Sequence, residues 1–347
     1  MLEYELLDKS NYMAYYQIVQ QSRWGNLLLP YEYDSKLWGV IVLDGDIVVG
    51  GWVGWLRGNG RFVSLLAKSV YFDSYPLYNG RNEEEIKIKI VERATFFAKQ
   101  QGIVMFNLTH WVREKGGIFP FSKREQNATF TIDLSLSEED IWKGIEPTQR
   151  NRIRKGEKNG VTVLALNADN SIAYLDAFQK LRKQTQARAI EKNANASMLL
   201  KSNDFFNRLL RQPNSLLFVG MVGEEVATVV LMLTGGKTAY YYSGGSDYEL
   251  NKSTGSSALV FWRAILHYKN HTEVDCFDMG GVPVFQDYQN PDREHPAFGV
   301  FKFKRSFGGK YEKFDGGQIT IAKWRYSILQ FLMRQRFLLR LFSTTRL

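Results

Sequence analysis

The stretch Leu216-Leu217-Phe218-Val219-Gly220-Met221-Val222-Gly223-Glu224-Glu225-Val226-Ala227-Thr228-Val229-Val230-Leu231-Met232-Leu233 decides the fold. Two apolar runs rich in β-branched residues flank Gly223-Glu224-Glu225, which is the pattern of a β-hairpin. A strand at 238–243, a helix from about Ser256 to Lys269 and a strand at 274–279 follow it. Earlier in the chain, residues 40–43, the turn Asp44-Gly45-Asp46 and residues 47–55 spell a second hairpin. After it come a strand around 61–68, a helical pattern over 83–101 and a strand at 103–108. The order β-β-β-α-β therefore occurs twice, about 170 to 180 residues apart, and predicts a duplicated α/β domain with mixed sheets.

Between the copies lies Pro147-Thr148-Gln149-Arg150-Asn151-Arg152-Ile153-Arg154-Lys155-Gly156-Glu157-Lys158-Asn159-Gly160. Proline suits a first helical turn and Asn-Gly suits a helix end, so this reads as one short helix. The domain junction is expected at its start. The strand 161–166 then opens the second domain, with helices at 172–186 and 204–211.

The chain has 347 residues, 44% of them hydrophobic, enough for two buried cores. Nothing in it reads as a signal peptide or as an apolar run of the roughly 20 residues that span a bilayer. The single cysteine, Cys276, excludes an internal disulfide and reads as a core thiol. A reducing, cytoplasmic setting is expected. Lys and Arg outnumber Asp and Glu by 45 to 36, for a net charge of +9, which favours polyanionic partners.

Two basic clusters carry that charge. On the 147–158 helix, Arg150, Arg154 and Lys158 are spaced i, i+4, i+8, with Arg152 and Lys155 beside them. That face suits phosphates, or simply solvent and the helix's own C-terminal dipole. The second cluster is Phe301-Lys302-Phe303-Lys304-Arg305-Ser306-Phe307-Gly308-Gly309-Lys310. As a helix it buries Phe303 with Phe307; as a strand it buries Phe301 with Phe303. Either way an apolar anchor holds cations where a developing oxyanion could be stabilised.

Three other stretches end elements with small or polar residues. Tyr240-Tyr241-Tyr242-Ser243-Gly244-Gly245 closes a strand, with tyrosines that stack on bases, bond phosphates or pack. Lys252-Ser253-Thr254-Gly255-Ser256-Ser257 leads into a helix, as a phosphate cradle or a plain cap. Asp278-Met279-Gly280-Gly281 closes another strand, and Asp278 is expected to face the cleft. Metal-ligand spacing is absent among His110, His267, His271 and His295, as are nucleophile-elbow, Walker and dinucleotide motifs.

Taken together, residues 149–309 resemble the FemABX family of peptidoglycan-bridge aminoacyltransferases. The resemblance runs through 150–161, Thr185-Gln186-Ala187-Arg188, 240–247, 277–282 and Phe303-Lys304 with Phe307-Gly308-Gly309. It is looser at Gln21-Ser22-Arg23-Trp24. The family implies two GNAT-like domains, here 1–146 completed by the returning segment 310–347, and 147–309. It implies transfer of an amino acid from aminoacyl-tRNA to an amine on a UDP- or lipid-linked peptidoglycan precursor, with no other cofactor. By resemblance, Lys304 steadies the oxyanion and Phe303 shapes the channel. Arg188 binds the precursor diphosphate with Tyr240 or Tyr242, and Lys36 or Arg23 is the first-domain candidate. Arg150, Arg154, Lys158, Lys302 and Arg305 are the candidates for tRNA phosphates. The pattern departs at Lys192, where an aromatic residue is expected.

The same fold serves acyl-CoA-dependent N-acylation, an alternative in which acetyl-CoA or another acyl-CoA is the donor. A non-catalytic, lipid- or RNA-binding copy is a third. The CoA reading needs a phosphate loop before a helix. Gly80-Arg81-Asn82-Glu83-Glu84-Glu85 is hostile to it, whereas the stretch 252–257 is a near match. The terminal stretch 323–342 is basic and aromatic, so it reads either as a helix docked on the first domain or as a peripheral contact with anionic membrane. A monomer is expected.

Overall fold

The computed structural model describes residues 2–22, 28–58, 67–108, 119–191 and 203–334. Arg23, Trp24, most of the expected strand at 61–68, His110, Lys192 and everything beyond 334, Arg336 and Arg340 included, lie outside the described residues. The chain divides into two units, Met1–Gln126 with Phe314–Leu347, and Asn127–Lys313.

In the first unit the strands lie in the order Leu2–Leu6, Leu37–Asp44, Ile47–Arg57, Ser69–Phe72, Met105–Leu108 and Lys310–Thr320. Neighbours are antiparallel except Ser69–Phe72 and Met105–Leu108, which run parallel. A parallel pair needs a crossover, and the helix Glu83–Gln100 supplies it. Its Ile86, Ile90, Ala94 and Ala98 recur at helical spacing and are buried on the sheet. Opposite them Trp52 stacks on Phe72 at 3.6 Å and donates its indole N–H to the Ser74 carbonyl at 2.8 Å. Trp38, Phe106 and Phe119 complete this aromatic core.

The second unit repeats the plan. Its strands lie in the order Val161–Leu166, Ser215–Val222, Glu225–Gly235, Thr238–Ser246, Cys276–Val282 and Lys123–Asp133. Again only one pair, Thr238–Ser246 with Cys276–Val282, is parallel, and the helix Ser256–His271 crosses between them. The first five strands of the two units correspond one for one. The sixth place is filled in the first unit by the returning end of the chain. In the second it is filled by the strand that directly follows the first unit's fifth.

The division differs from the one expected at Pro147, because it falls at Gln126–Asn127 inside the strand Lys123–Asp133. That strand pairs with Cys276–Val282 from Ala128 to Asp133, and Trp142 of the helix Glu138–Gly144 packs on Trp262 at 5.1 Å. Both hold residues before Pro147 in the second unit. The return likewise begins at Phe314, four residues after the expected 310. The helix Pro147–Lys158 forms as read and is seated on Leu259 through Gly156. Cys276 is buried and free of a disulfide. Among the described residues no helix is long and apolar enough to cross a membrane.

Trp52 carries the first core, so Trp52→Ala is expected to cost about 3–5 kcal/mol through the cavity it leaves. Chemical denaturation should show the loss as a midpoint shifted to markedly lower denaturant.

Candidate active site

The basic segment 301–310 resolves as the helix Phe298–Arg305, which ends at Ser306. Phe301 and Phe307 are buried, whereas Phe303, expected to be buried with Phe307 on a helix, packs on it at 5.3 Å but is only partly buried; Lys304 is buried as well, at 6% exposure. Its Nζ donates to the Gly281 carbonyl at 2.9 Å and lies 5.1 Å from the centre of the Tyr241 ring. Burial disfavours the ammonium and brings its pKa down to about 7. The same burial raises the Tyr241 phenol to about 12, so this ring offers a neutral π face.

The carbonyl under Lys304 is itself held. Gly280 has φ +73, and a Cβ there would meet the Tyr241 carbonyl at 2.7 Å and Lys304 Nζ at 3.4 Å. Only glycine fits such a place. Asp278, expected to face a cleft, is fully buried instead. It accepts from the Gly280 N–H at 2.7 Å, and the single Thr129 hydroxyl proton lies between Asp278 at 2.6 Å and the Gly280 carbonyl at 2.9 Å. Asp278 thus braces the turn that receives Lys304. Thr129 has no signal in sequence, since its role comes from pairing Lys123–Asp133 with Cys276–Val282.

Phe303 links this lysine to a cavity of about 250 Å³ lined also by Arg152, Lys155, Asn251, Lys252, Gly255 and Ser257. Gly255, at φ +79, ends the helix Tyr248–Thr254 and lets the next helix start against Pro147–Lys158; a Cβ there would meet the Arg152 carbonyl at 2.6 Å. Lys155 Nζ donates to the Lys252 carbonyl at 3.0 Å. Arg152, Lys155 and Lys252 thus line the cavity beside one aromatic ring, with Lys252 Nζ 5.8 Å from the centre of the Tyr248 ring, a setting for a phosphate and an adjoining planar group.

These cations are not the ones picked by spacing. With Gln149, Ile153 and Gly156 buried, Arg152 and Lys155 fall on one flank of the helix and Arg150, Arg154 and Lys158 on the other. Lys158 and Arg154 are exposed, and Arg154 lies over Trp142 at 5.4 Å. Lys302 is exposed, while Arg305 is drawn into an ion pair with Glu146 at 3.5 Å.

Tyr240 and Tyr242 are buried, at 1% and 7% exposure, and it is Tyr241 that meets Lys304. A bulge between Leu231 and Met232 makes the strand skip Tyr242, which turns toward Phe205. Period-two alternation does not locate bulges. Arg188 is partly exposed on the helix Leu175–Glu191, where Nη2 donates to the Ser246 carbonyl at 2.8 Å and to the Thr185 hydroxyl at 2.9 Å. Lys36 is exposed in the first unit, just ahead of Leu37–Asp44. Arg182 was missed: it is buried over Phe206 at 4.5 Å, with its Nη2 on Gln179 and its Nε and Nη1 without hydrogen-bond partners.

His267 packs on Phe218, and the described residues hold no cluster of three metal-ligating side chains. At the stretch 252–257, Asn251 Oδ1 already accepts the Ser257 N–H at 2.9 Å, and the Ser256 hydroxyl bonds Thr228 at 2.8 Å. The start of this helix is capped from within. In the first unit, Glu83, Glu84 and Glu85 occupy the corresponding first turn of Glu83–Gln100.

A model described as the FemAB family matches residues 69–219, and one described as an acetyltransferase (GNAT) domain matches 148–305. The crystal structure of FemX is similar over 94% of this chain and 99% of its own, at TM-score 0.68 and 13% identity. L-PGS from Bacillus licheniformis is similar over 89% of this chain and 91% of its own, at TM-score 0.53 and 11% identity. The C-terminal domain of a putative lysylphosphatidylglycerol synthetase from Agrobacterium fabrum gives 92%, 96%, 0.51 and 14%. No curated protein matches the chain in sequence. At these identities the structural likeness is one of fold: duplicated GNAT-like domains.

The buried amine has a signature in stability. Unfolded, Lys304 titrates near 10.4; folded, near 7. Between these values the unfolded chain holds a proton that the folded chain releases, so stability rises with pH across this window. Urea denaturation at pH 7 and pH 9 should show the wild type gaining on Lys304→Met. Equal gains in both proteins would mean that the amine is not sealed from water.

Proposed function

We propose that this chain, which a FemAB family model matches over residues 69–219 and an acetyltransferase (GNAT) domain model over 148–305, is an acyltransferase of the FemABX family that moves an aminoacyl group from aminoacyl-tRNA to an amine on the stem peptide of a UDP- or lipid-linked peptidoglycan precursor. One observation carries this reading: a buried lysine, anchored on a backbone carbonyl, sits one residue from an aromatic ring that opens on a cavity of three cations. The cations suit the phosphates at the tRNA 3′ end, Phe303 suits its terminal base, and Lys304 takes the ester carbonyl.

In this mechanism the neutral acceptor amine attacks the ester carbonyl carbon. A C–N bond forms, and the carbonyl oxygen becomes an oxyanion that Lys304 stabilises with an N–H not spent on Gly281. Collapse breaks the ester C–O bond, and the proton lost by the amine ends on the ribose hydroxyl that leaves. The chemistry needs no protein nucleophile. Arg188 retains Nη1 and Nε for the acceptor diphosphate, with Nη2 spent on Ser246 and Thr185.

The acyl-CoA alternative draws less support. A pyrophosphate at the start of Ser256–His271 would compete with Asn251 for the Ser257 N–H, and in the first unit it would meet three glutamates. Titration calorimetry separates the donors. Charged tRNA should bind with an affinity that falls steeply with salt, and acetyl-CoA should not saturate. Arg152→Ser with Lys155→Ser should weaken tRNA binding and reduce the log–log salt slope by about one for each lost contact. Saturable, salt-insensitive acetyl-CoA binding would overturn the proposal.

Lys304→Met should cut kcat by about 100- to 1,000-fold while the protein stays folded. The pH profile tests the charge state required. Deprotonating the acceptor amine raises the rate with pH, whereas loss of the Lys304 proton above about 7 removes oxyanion stabilisation. The wild-type rate should therefore flatten above about pH 7. A continued tenfold rise per pH unit up to pH 9 would argue that the neutral amine of Lys304 is the working form.

A further inference from the structure

The helix Lys323–Arg334 is seated on the first unit along one side. Leu329 is buried with Val104 and Met105, the Tyr326 hydroxyl donates to Gln318 Oε1 at 3.1 Å, and Arg325 Nη1 donates to the Gly102 carbonyl at 3.4 Å. Away from that side, Trp324, Ile328 and Phe331 are 63%, 41% and 61% exposed. Their i, i+4, i+7 spacing joins them into one apolar stripe along a helix that is already docked. Fold stability does not require the stripe, since the helix is held by its other side. A run of large apolar side chains left in water marks a contact surface.

The charge around the stripe selects its partner. Lys323 is exposed on the same helix. From Gly316 to Leu347 the sequence holds six Lys and Arg and no Asp or Glu. A second copy of the chain would bring the same cations face to face, which opposes self-association through this surface. An exposed aromatic and aliphatic stripe beside Lys323, in a stretch of sequence with no carboxylate, matches instead an interface that is apolar below and anionic above. Tryptophan favours the headgroup level, and cations gain about 1 kcal/mol each near a negatively charged leaflet.

We propose that this helix docks on the surface of an anionic lipid bilayer. Trp324, Ile328 and Phe331 enter the headgroup boundary, while Lys323 stays with the lipid phosphates. The helix lies in the surface plane, and its packing on Val104 and Met105 is retained. The proposal is independent of the acyl donor and of the chemistry at Lys304.

Flotation of the full-length protein tests it, with vesicles containing phosphatidylglycerol beside vesicles of phosphatidylcholine alone. The wild type should float with the first, remain behind with the second, and be released as salt rises. Trp324→Ser with Phe331→Ser should lower partitioning at least about tenfold, as the loss of two buried aromatic rings requires. Its thermal transition should be unchanged, because both side chains are exposed. Lys323→Glu, with the stripe intact, should weaken binding to anionic vesicles severalfold. The proposal is overturned if the double variant floats as well as the wild type, or if both lipid compositions bind equally. It is also overturned if sedimentation finds a wild-type dimer that the double substitution dissociates.

Discussion

An ammonium group taken out of water must be either neutralised or held by acceptors, and Lys304 is held by a single backbone carbonyl and the face of a tyrosine. Much of the second unit's local architecture follows from that constraint. The Gly281 carbonyl points at Lys304 because Gly280 turns the strand end with a positive φ that leaves no room for a side chain. The turn keeps its shape because Asp278 and Thr129 are locked to it by short hydrogen bonds. Buried polar groups are costly unless satisfied, so a network like this is stable as a whole and fragile in its parts. The incomplete neutralisation is chemically useful. A lysine with a full ion-pair partner would be a stronger cation but a poorer ligand for a new oxyanion, because that partner would have to be displaced.

The repeat was legible because hairpins, crossover helices and turns write themselves into apolar periodicity. The pairs at 40–55 and 216–233, the helices at 83 and 256 and the linking helix from Pro147 all form close to their read positions. The domain break was not legible. It depends on which sheet recruits the strand Lys123–Asp133, and partner choice between strands distant in sequence leaves no local trace. The chemistry of the site was readable in part. Phe303-Lys304 stood out as cations among aromatics, but burial of the lysine reverses what an amphipathic segment suggests, and it arises only when Gly281 and Tyr241 close around it. Tyr241 is the tyrosine that meets Lys304, on the face opposite Tyr240, and the bulge that displaces Tyr242 leaves no trace in period-two alternation.

The linking helix carries two basic series, one on each flank of its buried face. Arg150, Arg154 and Lys158 make the more conspicuous series, and they lie on the flank that the cavity does not use. Arg152 and Lys155 look like bystanders in sequence. They line a cavity because Gly255 lets the turn before Ser256–His271 approach the helix backbone, bringing Lys252 beside them. The three cations come from elements about 100 residues apart, so only the packing of one helix on another can assemble them.

Duplication gives this arrangement its freedom. Both units have a helix that follows a strand end and crosses to a parallel neighbour, the place where a GNAT-like fold can present backbone N–H groups to an anion. In the first unit three glutamates fill that turn, two of them paired with Lys87 at 2.5 and 3.6 Å. In the second, Asn251 takes up the Ser257 N–H, and the proposed recognition of negative charge rests on side chains at the cavity wall. Side chains reach farther than backbone amides and tolerate a ligand of greater length. On the proposed reading, Arg and Lys side chains in place of a backbone cradle suit an extended phosphate chain better than one compact pyrophosphate. The sheet and crossover helix that support either site need no alteration for that exchange.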